Sequence, residues 1–184
     1  MSLLEIHVLG APGLRQESQP VGAITDDVRR LADDMFETMY AASGIGLAAA
    51  QVGRRERLFV VDVDDTPLVL INPELVARDG TAKGEEGCLS IPDIYGDVER
   101  AARVTMRALD VDGRAFEVEG TELLARCLQH EMDHLQGRLF IDYLSILKRR
   151  SAMAKWERER AKYPSLRRTL DPRDLAEQHN DEAL

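Results

Sequence analysis

The chain reads as an α+β domain: antiparallel strands packed around one central helix, with a further helix towards the C-terminus. Two observations predict this. Strand-like runs gather between residues 58 and 119, with helical periodicity confined to segments before and after them. The strands also fail to alternate with helices as a parallel sheet would require. The 184 residues are 44% apolar and 31% charged. They suffice to bury the core of one domain plus an appendage, and they are too apolar for a disordered chain.

Residues 25–42 predict the first helix. Thr25 can cap it, Asp26 and Asp27 suit the positive end of its dipole, and Val28, Leu31, Met35 and Met39 recur on one face. Runs 58–63 and 68–71 predict strands joined by an Asp64-Asp65-Thr66-Pro67 turn. Residues 102–109 and 115–119 predict a hairpin around Asp110-Val111-Asp112-Gly113. Helical periodicity returns from Glu122 to Leu135, and a strongly charged helix is expected over 145–162, stopped by Pro164. The division is then a body over 1–147, a basic helix within 148–168 and a polar, flexible tail over 169–184.

Several classes are excluded. No apolar run approaches the length of a membrane-spanning helix. The first ten residues lack the basic n-region of a secretion signal. Cys88 and Cys127 cannot build a disulfide framework, so a reducing cytoplasm is the expected compartment. The net charge of −9 is uneven, with −12 over residues 1–147, +7 over 148–168 and −4 over 169–184. The body should repel nucleic acid, and the short basic segment should attract it.

His130-Glu131-Met132-Asp133-His134 matches H-E-x-x-H on a predicted helix. Residues four apart project about 40° apart, so both imidazoles can reach one metal ion. Glu131 lies on the same edge, placed to take a proton from water activated there. Two histidines are an incomplete set, because a catalytic site normally has three protein ligands and an open position. Cys127 shares the face but stands about 10 Å along the axis from His134. It reads as a small apolar residue in the site wall. Asp142 is the nearest carboxylate after the helix. Cys88, in Glu86-Gly87-Cys88-Leu89-Ser90, is the stronger candidate: a thiolate in a loop where glycine allows close backbone approach.

A third cluster is Gly44-Ile45-Gly46-Leu47-Ala48-Ala49-Ala50-Gln51. It has neither the Lys-Ser/Thr of a P-loop nor the glycine spacing of a dinucleotide-binding turn. It reads as a small-residue segment approaching a substrate chain, with Gln51 able to donate its amide N–H, or equally as a tight interior turn.

Together, and in this order and spacing, the three segments resemble the signature motifs of peptide deformylases. The resemblance runs from about residue 4 to 150, through Asn72-Pro73-Glu74 and Phe140-Ile141-Asp142-Tyr143-Leu144. It implies that residues 1–147 form a catalytic metallohydrolase domain built around a metal-binding helix. The implied reaction removes the N-formyl group from the initiator methionine of nascent polypeptides. Cys88, His130 and His134 become the ligands of one divalent metal, Fe(II) in cells and Zn(II), Ni(II) or Co(II) in purified protein. Ligand type alone does not choose among these. Glu131 becomes the proton carrier, with the Gln51 side chain and the Leu89 backbone N–H as donors to the oxyanion.

Substrate binding is expected as strand addition, an extended peptide lying between the Ile45-Gly46 backbone and that of Gly87. Leu123 and Cys127 project to the ligand face of the helix as walls of the methionine pocket, and the resemblance adds Ile45 and Glu86. Three residues depart from the family pattern. Arg126 stands on the ligand-side edge, where well-known members carry an aliphatic pocket-wall residue. Gly84 replaces a bulkier apolar residue, and Tyr95 takes a loop position that is Arg in many bacterial members. The metal chemistry is untouched by them, whereas pocket width and the preference beyond methionine are left open.

The resemblance also implies salt-dependent contact of the basic helix with ribosomal RNA. Docking on the body through Trp156 and Tyr163, or a plainly solvated basic face, are the alternatives. Two competing functions are an H-E-x-x-H metallopeptidase, whose third ligand is usually His or Glu, and a non-enzymatic ribosome-associated protein with a structural metal. The latter needs a closed four-ligand site. A monomer is expected.

Overall fold

The computed structural model describes residues 2–171 and 173. The elements run β1 (Ile6–His7), α1 (Asp26–Ala41), β2 (Gly46–Ala48), β3 (Leu58–Asp62), β4 (Pro67–Asp79), β5 (Ala82–Cys88) and β6 (Ile91–Arg100). They continue with β7 (Arg103–Leu109), β8 (Ala115–Thr121), α2 (Glu122–Leu135), α3 (Ile146–Glu159) and β9 (Arg167–Arg168). An antiparallel sheet has the order β2-β3-β4-β7-β8, beside the separate pairs β5-β6 and β1-β9. This is the expected α+β class.

Helices α1 and α2 cover opposite faces of the large sheet because β3 alternates. Leu58 and Val60 pack with Val28, Leu31, Met35 and Met39 of α1. Phe59 and Val61 pack with Ala125, Leu128, Met132 and Leu135 of α2. The same alternation on β2 sends Leu47 to the α1 side and Ala48 to the α2 side. Helix α1 starts as its sequence dictates, with Thr25 Oγ1 accepting from the Val28 N–H at 3.4 Å. In the β3–β4 connection Asp64 and Asp65 both take positive φ, a conformation aspartate tolerates better than most residues.

Several boundaries differ from expectation. Strand β4 runs to Asp79, far past Ile71, but its outer half is exposed and its register shifts twice. Without a buried face that half carries no apolar alternation to read. The β5–β6 hairpin is absent from the sequence reading because Gly84, Gly87, Pro92 and Gly96 punctuate both strands. Cys88 is therefore not in a loop: it ends β5 and pairs with Ile91 across the Leu89-Ser90 turn.

Helix α3 stops at Glu159 and continues as a 3₁₀ turn over Arg160–Lys162, and Pro164 opens the next turn rather than ending the helix. Trp156 is 1% exposed, packed with Val8, Ile91, Ile94 and Phe140, and its ring stacks on Tyr163 at 5.9 Å between centroids. The segment is thus docked, and β9 pairs with β1. Of the tail expected over 169–184, Leu170 is buried, and residues 172 and 174–184 lie outside the described residues.

Candidate metal centre

One face of α2 is fixed in the core by Ala125, Leu128, Met132 and Leu135, which aims its other edge at the β5–β6 hairpin. Ligand atoms of Cys88, His130 and His134 lie within 4.8 Å of one another, with Cys88 Sγ 3.4 Å from His134 Nε2. Cys127 is set apart from them. Burial pushes its thiol up, and Sγ donates to Ile45 O at 3.5 Å, as a neutral wall residue would. Asp142 is held by Arg15 at 2.6 Å and accepts from the Leu139 N–H, away from the ligand cluster.

The donor set fits a divalent metal. It combines one soft thiolate sulfur with two imidazoles of borderline softness, a set suited to divalent transition metals. His130 Nδ1 contacts Glu86 Oε2 at 2.9 Å, the arrangement in which a carboxylate fixes the ring and leaves Nε2 for a metal. Beside them Glu131 is 3% exposed, and its Oε2 has no hydrogen-bond partner among the described residues. Burial pushes its carboxyl up to about 7, with His130 opposing and Glu86 adding to the rise. Among the described residues, Cys88, His130 and His134 thus form a single divalent-metal site.

Glu131 can sit so close to β2 only because residue 46 is glycine. A Cβ there would lie 2.9 Å from both the Glu131 carboxyl carbon and Cys127 Sγ. Gln51 is 1% exposed and is fixed at both ends. Its Oε1 accepts from the Ala48 N–H at 2.9 Å, and its Nε2 donates to Ser90 Oγ at 3.2 Å and faces Cys88 Sγ at 3.6 Å.

Glu86 is the hub that joins hairpin to helix. It accepts from Arg100 at 2.7 and 2.9 Å and from Arg126 at 2.9 Å. Arg100 also donates to Asp133 at 2.6 Å, and Tyr143 donates to the other Asp133 oxygen at 2.9 Å. Burial raises the Glu86 carboxyl, but Arg100 and His130 outweigh it and hold the group down at about 2.

These residues surround a cavity of about 510 Å³. Ile45, Gly46, Gln51, Glu86, Gly87, Cys88, Leu89, Leu123, Arg126, Cys127, His130 and Glu131 all line it, while His134, 1% exposed, sits behind them. Tyr95 also lines it, its ring close against Gly87.

A family model described as polypeptide deformylase matches residues 3–150. The chain belongs to the peptide deformylase family. It is 56% identical over 162 residues to a peptide deformylase of Alkalilimnicola ehrlichii, covering 86% of this chain and 91% of that one. It is 52% identical over 161 residues to one of Nitrosococcus oceani, covering 86% and 96%. Its structure resembles a crystal structure of a peptide deformylase from Legionella pneumophila, with TM-score 0.84, 44% identity and coverage of 88% and 98%.

As a deformylase, the protein is a metal-dependent hydrolase that removes the N-formyl group from the initiator methionine. The metallopeptidase and non-enzymatic readings are not favoured. Among the described residues no helix is long and apolar enough to cross a membrane.

Arg100, Asp133, Ser90, Tyr163 and Arg168 were not legible as site residues, although the structure places them in the network or the cavity wall. Asp133 and Ser90 carried a signal, as members of the H-E-x-x-H segment and of the Glu86–Ser90 segment. Arg100 is brought in only by the unanticipated hairpin.

Proposed function

We propose that Glu131 carries the proton of the deformylation reaction, from water to the leaving amine. The observation that supports this best is its buried carboxylate, unpartnered at Oε2 beside the three ligand atoms. A divalent metal held by Cys88, His130 and His134 would polarise the formyl carbonyl and acidify water towards neutrality. Gln51 Nε2, held in place through Ser90 and Ala48, and the Leu89 N–H donate to the developing oxyanion. Glu86 orients His130 and Arg100 orients Glu86. The metal in cells is Fe(II), a choice the Cys/His₂ set permits without excluding Zn(II), Co(II) or Ni(II) in purified protein.

The formyl peptide adds as a strand between β2 and β5. Strand β2 is the edge of its sheet, β5 pairs only with β6 among the described residues, and both strands line the cavity. Main-chain bonding at Ile45, Gly46 and Gly87 then tolerates varied sequences after the first residue. The first side chain enters the space among Leu123, Cys127, Arg126 and Glu86. The protein acts as a cytoplasmic monomer, with residues 1–147 as its catalytic domain and 148–168 as a docked extension. The exposed Arg150 and Arg158 of α3 make a transient, salt-dependent contact with ribosomal RNA.

Glu131→Gln tests the proton role. The expected result is a loss of at least ~10²-fold in kcat with metal content kept at one per chain. Activity within tenfold of wild type would overturn it.

A further inference from the structure

Arg126 and Gly84 form a matched pair. A Cβ at position 84 would lie 3.2 Å from Cζ, Nε and Nη2 of Arg126 alike. The guanidinium therefore lies flat over the bare Gly84 backbone and fills the volume a side chain would take. From this seat Nη1 donates to Glu86 Oε1 and Val98 O, both at 2.9 Å, and Nη2 donates to Ala82 O at 2.9 Å. Those bonds use three of the five N–H groups of a guanidinium. The Nε–H and one Nη2–H have no hydrogen-bond partner among the described residues. The side chain is 14% exposed and lines the cavity together with Leu123, Cys127 and His130.

A wall of Leu123 and Cys127 takes the methionine thioether by apolar burial. The spare guanidinium donors add a capacity that an aliphatic wall lacks. The Glu86 carboxylate, bonded to the same guanidinium, disfavours an anion beside it, so the complementary group is a neutral acceptor. We propose that Arg126, seated by Gly84, lets this deformylase accept formyl peptides whose first side chain ends in a neutral hydrogen-bond acceptor. Methionine sulfoxide is the member of that class nearest methionine in shape. The inference rests on the reading that this part of the cavity receives the first side chain. In an apolar pocket the sulfoxide oxygen gives up water without replacement, a loss of roughly ten- to a hundredfold in kcat/KM. Here Arg126 replaces the water.

The test measures formate release by the metal-loaded full chain from formyl-Met-Ala-Ser and from the same peptide with methionine sulfoxide. It compares wild type, Arg126→Leu and Gly84→Val. The readout is the sulfoxide-to-methionine ratio of kcat/KM, which a general loss of packing does not move. The expected wild-type ratio is within about tenfold of unity, falling a further ten- to a hundredfold in both variants. The two variants reach the guanidinium from opposite sides, so failure of one to fold leaves the other decisive. An unchanged ratio in the variants, or wild-type discrimination beyond a hundredfold, would overturn the proposal. A ratio that moves only in Arg126→Leu would overturn the Gly84 seat. Absence of formate from both peptides would overturn the underlying reading and this one with it, and the loss for methionine sets that outcome apart.

Discussion

Replacing Gly46 with alanine moves Glu131, the proposed proton carrier, without touching a metal ligand. The added Cβ would stand 2.9 Å from the Glu131 carboxyl carbon and from Cys127 Sγ. Ordinary carbon contacts are about 3.5–4.0 Å, so the carboxyl group must withdraw by about 0.6–1.1 Å. Strand β2 cannot yield instead, because Gly46, Leu47 and Ala48 pair with Val61, Val60 and Phe59, residues of 0% exposure. A misplacement of about 1 Å in a catalytic group costs on the order of 10²-fold in rate. The overpacking itself destabilises by about 1–3 kcal/mol. Formate release, metal content and thermal melting measured on one preparation separate these effects. The expected result is kcat/KM down about a hundredfold, with one metal per chain and a modestly lower Tm. Activity within threefold of wild type in a folded, metal-loaded Gly46→Ala protein would refute the link between β2 and Glu131.

Three further outcomes are expected. Glu86→Ala leaves His130 without its carboxylate, Arg100 with Asp133 alone and Arg126 without an ion-pair partner, which should cost about 3–5 kcal/mol and weaken metal binding roughly 10–100-fold. Chelator competition and denaturant unfolding read the two effects. Trp156→Ala should destabilise by about 3–5 kcal/mol, seen in chemical unfolding, since the indole is 1% exposed among Val8, Ile91 and Phe140; a loss under 1 kcal/mol would argue against a docked α3. Burial raises the Asp142 carboxyl, but Arg15, the Leu139 N–H and Arg149 outweigh it and hold the group below 3.8. Its stabilisation is therefore present above the unfolded value and is lost as pH falls through the lowered native one. Asp142→Asn should cost about 1 kcal/mol at pH 7, with the gap to wild type closing as the pH drops below about 4. Unfolding curves across that range check it.

Legibility in the sequence followed burial. Helix α1 and strand β3 pack strongly on the core, so their apolar periods and the Thr25 cap located them to within a residue or two. His130, Glu131 and His134 lie on one helix, where spacing alone brings both imidazoles to one metal ion with Glu131 on the same edge. Cys88 is different. Its place beside them depends on a hairpin built from glycines, a proline and charged residues, whose signal is that of a turn. The outer half of β4 is exposed and left no pattern. The network of Glu86, Arg100, Arg126 and Asp133 joins residues up to 47 positions apart, and no local period encodes such a contact. Arg126 and Gly84 looked like separate departures from a family pattern. In three dimensions each accounts for the other, because the guanidinium occupies the missing side-chain volume.

The most direct measurement is formate release from formyl-Met-Ala-Ser by anaerobically prepared protein. It is run as isolated, after chelation, and after readdition of Fe(II), with the unformylated peptide assayed alongside for cleavage. The expected result is formate release that chelation abolishes and Fe(II) restores, with the unformylated peptide intact. Formate release that survives full removal of the metal, or cleavage of the unformylated peptide without formate release from its partner, would contradict a metal-dependent deformylase centred on Cys88, His130 and His134.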